Sequence, residues 1–516
     1  MKVFVNGTIL TMNPAQPRAE AIAICNDKIL AVGTEAKVRK AVTKPEVIDL
    51  QGRCLLPGFH DSHVHLTYHG FEIGQLDLSV VQTLDEALHL IAQRAASTPK
   101  GNWITGAGFL MARWGVNHLD KSLLDKVVPH HPVFLKSQDH HSGWANSLTL
   151  QKAGITASTP QPEHGEIVKD AKGEPIGIFL EQASDLISKA LPSKTREDIQ
   201  QAVLAAGKDF ATLGITTVHD MAVQKPHEWR EMASLASRPD YPVRVWACID
   251  QDNIEHLSAL GLATGQGGEN FQIGGVKFFA DGALGSMTAL MLEPYKGTTT
   301  YGFLVHSREL MMERFPMAIQ AGLVPVIHAI GDAANRIVLD CLEATKHLWQ
   351  SQNMRPRIEH AQHLHPDDLP RFAKLGIISS MQPIHYRFDA KRTTELLPDR
   401  LNGAHAWRGL KDSGAVIPLG SDTPVATPDV MLGLETACTR KAESIEFGHD
   451  QILTMDEALA GYTRDGAYTI HWEHRSGQLK VGFDADMVIL SHDPHEGLES
   501  LSVQATMKAG NWTFQR

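Results

Sequence analysis

Apolar and polar positions alternate over short runs at both ends of the chain. At the start, segments 2–5, 8–12, 21–25 and 28–32 read as strands, with Asn6-Gly7 and Asn26-Asp27 between them as turn dipeptides. The far end repeats this texture in 478–481, 486–490, 503–508 and 512–514, with Gly510-Asn511 as a turn. Neither fragment buries a face alone. Together they predict one small β-sandwich built from both termini, 1–54 with 475–516.

Between the ends, short apolar strands alternate with amphipathic helical stretches. The strands are 54–60, 214–218, 243–249, 275–279, 324–328, 357–360, 377–381 and 416–419, and helices such as 197–213, 307–321, 333–348 and 365–375 separate them. That order predicts an α/β fold with a parallel sheet, and eight repeats predict a closed (β/α)8 TIM barrel over 55–474. An open doubly wound sheet is the alternative, but the Gly-rich phosphate loop after its first strand is missing. The spacing has one gap. Residues 67–201 separate the first two strands, too far for a structureless loop, and predict a large inserted subdomain. It leaves the barrel beside His63 and His65, so it is expected to overhang the active site; a remote scaffold lobe is the alternative.

Composition narrows the partners. The 516 residues suit a barrel with accessory modules. A content of 43% hydrophobic and 21% charged residues matches soluble globular proteins, and a formal charge of -11 disfavours nucleic acid and anionic membranes. The start, MKVFVNGTILTMN, lacks the apolar stretch of a secretory signal, and no segment approaches the roughly 20 apolar residues of a membrane span. Cys25, Cys54, Cys248, Cys341 and Cys438 are scattered, which fits a reducing cytoplasm and no thiolate metal site. A homodimer is the commonest assembly for such a chain.

A closed barrel gathers its strand C-termini on one face, where barrel enzymes keep their chemistry. Here the strand ends carry His63 and His65, Lys277, His328, His360 and Asp422. The two early histidines are two apart in an extended segment, so their imidazoles point the same way and can share an ion. His328 follows an apolar strand, where a purely structural histidine is the usual alternative. His360 is nearest its strand end, with His363 and His365 close behind as rivals. Asp422 either caps the next helix or touches a metal and shuttles a proton. Lys277 is the least ordinary, because a protonated ammonium is costly to bury and repels cations. It either pairs with a carboxylate such as Asp281 or takes up carbon dioxide as a carbamate that can bridge two ions.

These segments together resemble the amidohydrolase superfamily, in the amidohydrolase-3 branch that includes N-substituted formamide deformylase-like enzymes. The resemblance spans nearly the whole chain. It rests on Leu56-Pro57-Gly58-Phe59-His60-Asp61-Ser62-His63-Val64-His65, His141-Ser142-Gly143-Trp144-Ala145-Asn146-Ser147, Gly214-Ile215-Thr216-Thr217-Val218-His219-Asp220, Lys277-Phe278-Phe279-Ala280-Asp281-Gly282, Met381-Gln382-Pro383-Ile384-His385 and Gly420-Ser421-Asp422. It implies a binuclear metal centre, with His63, His65 and Asp422 on one divalent ion, His328 and His360 on the other, and carboxylated Lys277 bridging. Zinc comes first; iron, manganese or nickel also suit such a donor set. The resemblance further implies substrate contacts from His141, Trp144, Asn146 and His385, although Trp144 also reads as a packing residue. His219 carries no implied metal role and reads as a packing or supporting histidine.

Two divalent ions sharing a water bring its pKa towards neutrality and polarise a carbonyl, while Asp422 moves a proton to the leaving nitrogen. The expected activity is hydrolysis of a non-peptide, amide-like C–N bond in a small molecule by metal-activated hydroxide. A mononuclear deaminase of the same superfamily is one rival, but its characteristic Glu after the fifth-strand histidine is absent from Ala329-Ile330-Gly331-Asp332. A non-catalytic regulatory or binding protein is the other, and it leaves six candidate ligands unexplained.

Overall fold

The computed structural model describes residues 1–516 apart from 112, 117–118, 138–141, 163–164, 222–224 and 443–444. The chain divides into two compact units, Met1–His69 with Val203–Arg516, and Gly70–Ala202. Among the described residues no helix is long and apolar enough to cross a membrane.

In the larger unit, seven parallel strands pair in chain order. They are β1 (Phe59–Val64), β2 (Ile215–Asp220), β3 (Arg244–Asp250), β4 (Phe271–Phe279), β5 (Pro325–Ala329), β6 (Arg357–His360) and β7 (Ile378–Ser380). The eighth expected strand is not regular, yet segment 416–423 joins both free edges. Ser379 and Met381 N–H groups donate to the Val416 and Pro418 carbonyls, each at 3.1 Å. On the other side Ser62 N–H donates to Leu419 O at 3.0 Å, and Asp422 N–H to His63 O at 2.7 Å. Pro418 has no N–H to extend a ladder. Gly420 sits where a Cβ would lie 2.6 Å from the His63 backbone nitrogen. Proline and close approach explain why a strand-like path here lacks strand regularity. The ring so closed is an α/β barrel of the TIM type.

The first expected strand, 54–60, turns out to be two. Cys54–Pro57 pairs with Thr8–Leu10 and Met487–Leu490 in a sheet built from both chain ends, and Phe59 starts β1. Gly58 makes the crossing possible, since a Cβ there would lie 2.3 Å from the Thr216 side chain. The consequence is that His63 sits within β1 and His65 just past its end. Two sheets, of four and six strands, share one apolar core with Phe4, Ile22 and Ile24 facing Leu55, Met487 and Met507. Segment 478–481 is not a strand there; Leu479 instead anchors a loop in that core. The expected helix 333–348 also divides, at Thr345, whose hydroxyl bonds back to Cys341 O at 2.9 Å.

The smaller unit has a six-stranded mixed sheet, running from Gly165–Lys169 at one edge to Leu76–Asp77 at the other. It has its own core around Trp144, Trp114, Phe109 and Leu135.

Candidate metal centre

β1 and the segment closing the ring bring the early histidines to Asp422. His63 Nε2 lies 3.2 Å and His65 Nε2 3.1 Å from the same Asp422 oxygen, Oδ1. The His360 ring lies 4.8 Å from that of His63, and the His328 ring 4.6 Å from that of His360. One donor atom each from His63, His360 and Asp422 lie within 4.8 Å of one another. Lys277, buried on β4, has its Nζ 5.3 Å from the Phe279 ring, which lies 5.6 Å from that of His328. His385 opens the helix His385–Leu396, stacks on His360 at 5.8 Å and places Nε2 3.5 Å from Asp422 Oδ2. Six widely separated ligand candidates and His385 therefore meet at one end of the barrel.

Hydrogen bonds fix which nitrogen each ring offers. His63 Nδ1–H donates to Glu359 at 2.7 Å, and His360 Nδ1–H to Gln382 Oε1 at 2.7 Å, leaving Nε2 of both rings for a cation. His328 Nε2–H donates to Gly282 O at 3.0 Å, so its Nδ1 is the available atom. Behind these sits Arg357, fully buried. It donates to both Glu359 oxygens at 2.5 and 3.0 Å, to Ser62 O at 2.6 Å, to Ser380 Oγ at 3.0 Å and to His219 Nδ1 at 3.1 Å. On the other flank His69 is held between Thr423 Oγ1 and Asp209 Oδ2, both at 2.9 Å. His360 and Asp422 have φ of 74° and 63°, a region that strains an L residue and clusters at functional sites.

Burial alone would raise the Asp422 carboxyl, but the His63 charge holds it well below the usual range. Burial likewise opposes ionisation of Glu359, but the Arg357 charge overrides it and holds the carboxyl well below its usual range. Burial would depress His63, yet Asp422 and Glu359 keep its pKa raised. Burial lowers Lys277, and burial with the Lys277 charge lowers His328 to about 4. Asp422 and Glu359 are thus ionised and His328 and His360 neutral, the protonation states that bind divalent metals. Asp422 Oδ1 is buried and accepts no hydrogen bond among the described residues. An oxygen so placed between two imidazole nitrogens fits a cation.

Other expectations resolve differently. Lys277 makes no ion pair among the described residues, because the Asp281 carboxylate accepts from the Leu290, Ile330 and Gly331 N–H groups instead. His363 turns to His405, and His365 caps a short 3-10 turn, which leaves His360 in the cluster. The cap of the helix Val430–Thr439 is Asp429, not Asp422. His219 serves Arg357. Trp144 and Asn146 are corrected. Trp144 is fully buried in the smaller unit's core with its N–H on Asp120 O at 3.0 Å. Asn146, also fully buried, caps the helix Ser147–Ala153 and donates to Val128 O and His131 O. Neither has an atom left for a substrate. His141 lies outside the described residues. Arg357, Glu359, Gln382 and His69 are the supporting residues that sequence reasoning missed. One signal was available, since Arg357 and Glu359 are two apart in a barrel strand and so share one face.

A closed α/β barrel with this polar cluster at its strand ends has the architecture of a hydrolase. The family model described as "Amidohydrolase family" matches residues 46–514. YtcJ of Bacillus subtilis, which carries the name of an amidohydrolase, is 33% identical over 100% of this chain and 99% of its own. The N-substituted formamide deformylase of Arthrobacter pascens is 28% identical over 100% of this chain and 98% of its own. Among solved structures, an uncharacterized metal-dependent hydrolase from Pyrococcus horikoshii aligns with TM-score 0.80 and 28% identity, over 96% of this chain and 99% of that one. The chain belongs to the amidohydrolase family, in its amidohydrolase-3 branch, and is a hydrolase acting on carbon–nitrogen bonds other than peptide bonds.

Proposed function

We propose that this protein hydrolyses an amide-like C–N bond of a small molecule at a pair of divalent cations. His63, His65 and Asp422 would hold one and His328 and His360 the other, with Lys277 contributing as a carbamate. The observation that carries this reading is the unsatisfied, buried Asp422 oxygen facing His63 and His65. Bound divalent ions supply Lewis acidity, which acidifies a water and polarises the substrate carbonyl. Zinc suits this donor set best, with iron, manganese and nickel as substitutes.

The chain's own groups do the rest. Asp422, ionised in its buried setting, takes the proton of the attacking water and delivers it to the leaving nitrogen. His385, 3.5 Å from the second Asp422 oxygen, orients that carboxylate or the substrate carbonyl. Glu359 and Gln382 hold the His63 and His360 rings in one tautomer. Burial favours the neutral Lys277 amine, the form that adds carbon dioxide with loss of a proton.

The test is Asp422→Asn, with metal content measured beside turnover on a panel of formamides, N-acyl amines and carbamates. General acid–base catalysis sets the expected loss at about 100-fold or more in kcat. A variant that keeps its metals and full turnover sinks the proton-shuttle role. Metal content near one ion per chain in the wild type would favour the deaminase reading.

A further inference from the structure

Asp389 lies one helical turn beyond His385, on the same face of the helix His385–Leu396. Helical side chains lean towards the N-terminus, so its carboxylate points back to the end at which His385 meets Asp422. Gln362, two residues past His360 and buried, donates Nε2–H to Asp389 Oδ2 at 2.9 Å. That is the only hydrogen bond the Asp389 carboxylate makes among the described residues, and it has no ion pair there. Asp389 is half-buried, and burial pushes its carboxyl up to about 6, so a cationic partner would favour the ionised form; aspartate is also a poor helix-interior residue. Its nearest aromatic neighbour in sequence, Phe388, is 43% exposed with its ring 5.4 Å from His385. An aromatic ring and an unpaired carboxylate at the i+3 and i+4 positions from one histidine are chemistry that recognises an ammonium ion.

The surrounding strand ends carry no competing cation for an acidic substrate. Segments 65–68, 279–282, 328–331, 360–363, 382–388 and 422–425 contain a single Arg or Lys, Arg387, which is tied to Glu435 at 3.0 Å. Lys225, exposed after β2, is the one basic side chain on that neighbouring loop.

We propose that Asp389, fixed by Gln362 and flanked by Phe388, binds a free ammonium group on the substrate arm away from the scissile bond. The substrate class is then an acylated amine that keeps a second, cationic amine. This rests on the hydrolase reading of the same site and adds its specificity.

The experiment uses three formamides of equal length, ending in an ammonium, a methyl or a carboxylate group, with formate release as readout. The wild type should prefer the ammonium compound over the methyl one by about tenfold or more in kcat/KM, the worth of a hydrogen bond to a charged group. The carboxylate compound should be the poorest. Asp389→Asn should erase the ammonium preference, chiefly through KM, and Phe388→Leu, an exposed change, should reduce it. Calorimetric binding of the three released amines gives the same ranking without turnover. A diamine preference without any hydrolysis would retain the recognition site and reject the hydrolase reading. Hydrolysis with equal kcat/KM for ammonium and methyl compounds would overturn the recognition site alone, as would an Asp389→Asn variant that lowers all three equally. A carboxylate preference lost in Lys225→Ala would overturn it too.

Discussion

Replacing Arg357 with methionine isolates the ionic support beneath the proposed metal ligands. The guanidinium is fully buried and makes five hydrogen bonds, two of them to a Glu359 carboxylate that is itself fully buried. Methionine fills much of the volume, so the main loss is not a cavity. What remains is an uncompensated carboxylate in the barrel interior, and removing one partner of a buried pair costs about 3–5 kcal/mol. Protonation of Glu359 relieves part of that cost, at the expense of the bond that sets the His63 ring. Metal affinity should therefore fall about 10- to 100-fold, the usual loss when support of a ligating histidine is removed. Chelator competition measures the affinity, and denaturant midpoints of the metal-free proteins measure stability. The double variant Arg357→Met with Glu359→Gln has no stranded charge and should be more stable than the single one. A single variant within about 1 kcal/mol of wild type, or a double variant less stable than the single, would refute the reasoning, because a buried pair predicts the opposite order.

Metal removal should abolish turnover and added zinc should restore it; turnover by protein shown to be metal-free would contradict the site. Gly420→Ala places a Cβ 2.6 Å from the His63 backbone nitrogen, so it should push segment 416–423 off β1 and lower metal occupancy, read by elemental analysis. Asn146→Ala should destabilise the smaller unit by about 2 kcal/mol, combining a lost helix cap with unsatisfied carbonyls, while KM on a working substrate stays put. A raised KM with unchanged stability would return Asn146 to the substrate. Burial lowers His60 to about 3, below its unfolded value, so below about pH 6.5 the unfolded chain binds the extra proton and stability falls with pH. His60→Gln should flatten the decline of the unfolding midpoint between about pH 6.5 and 4.5, and parallel curves would count against it.

The barrel was legible because its strands are short apolar runs, and the candidate ligands because they stand within or just past the C-terminal ends of those runs. What failed did so for local physical reasons. Pro57-Gly58 lies inside a continuous apolar segment, so hydrophobicity could not reveal that Cys54–Pro57 and Phe59–Val64 belong to different sheets. The ring-closing segment has an apolar stretch, but Pro418 and Gly420 remove a donor and a side chain where a ladder needs regularity. The family resemblance placed Trp144 and Asn146 in a motif, and a motif position does not say whether a side chain faces a ligand or a core. Their burial and exhausted hydrogen bonds decide that.

The hidden residues follow from the same limit. Barrel interiors are ordinarily filled by branched apolar side chains, so Arg357 and Glu359 on one face of β6 should have stood out as charges directed inward. They can occupy that space only as a pair, and only with His219, Ser62 and Ser380 completing the guanidinium's bonds. A pattern of apolar strands therefore specifies the container, while its exceptions specify the chemistry. Lys277 interrupts the apolar run of β4, and Arg357 and Glu359 that of β6, at inward positions, and each interruption is tolerable only if something charged meets it. For Arg357 and Glu359 that partner is present in the chain. For Lys277 no carboxylate of the described residues pairs with it, and the carbamate proposed above is the reading that needs no further side chain.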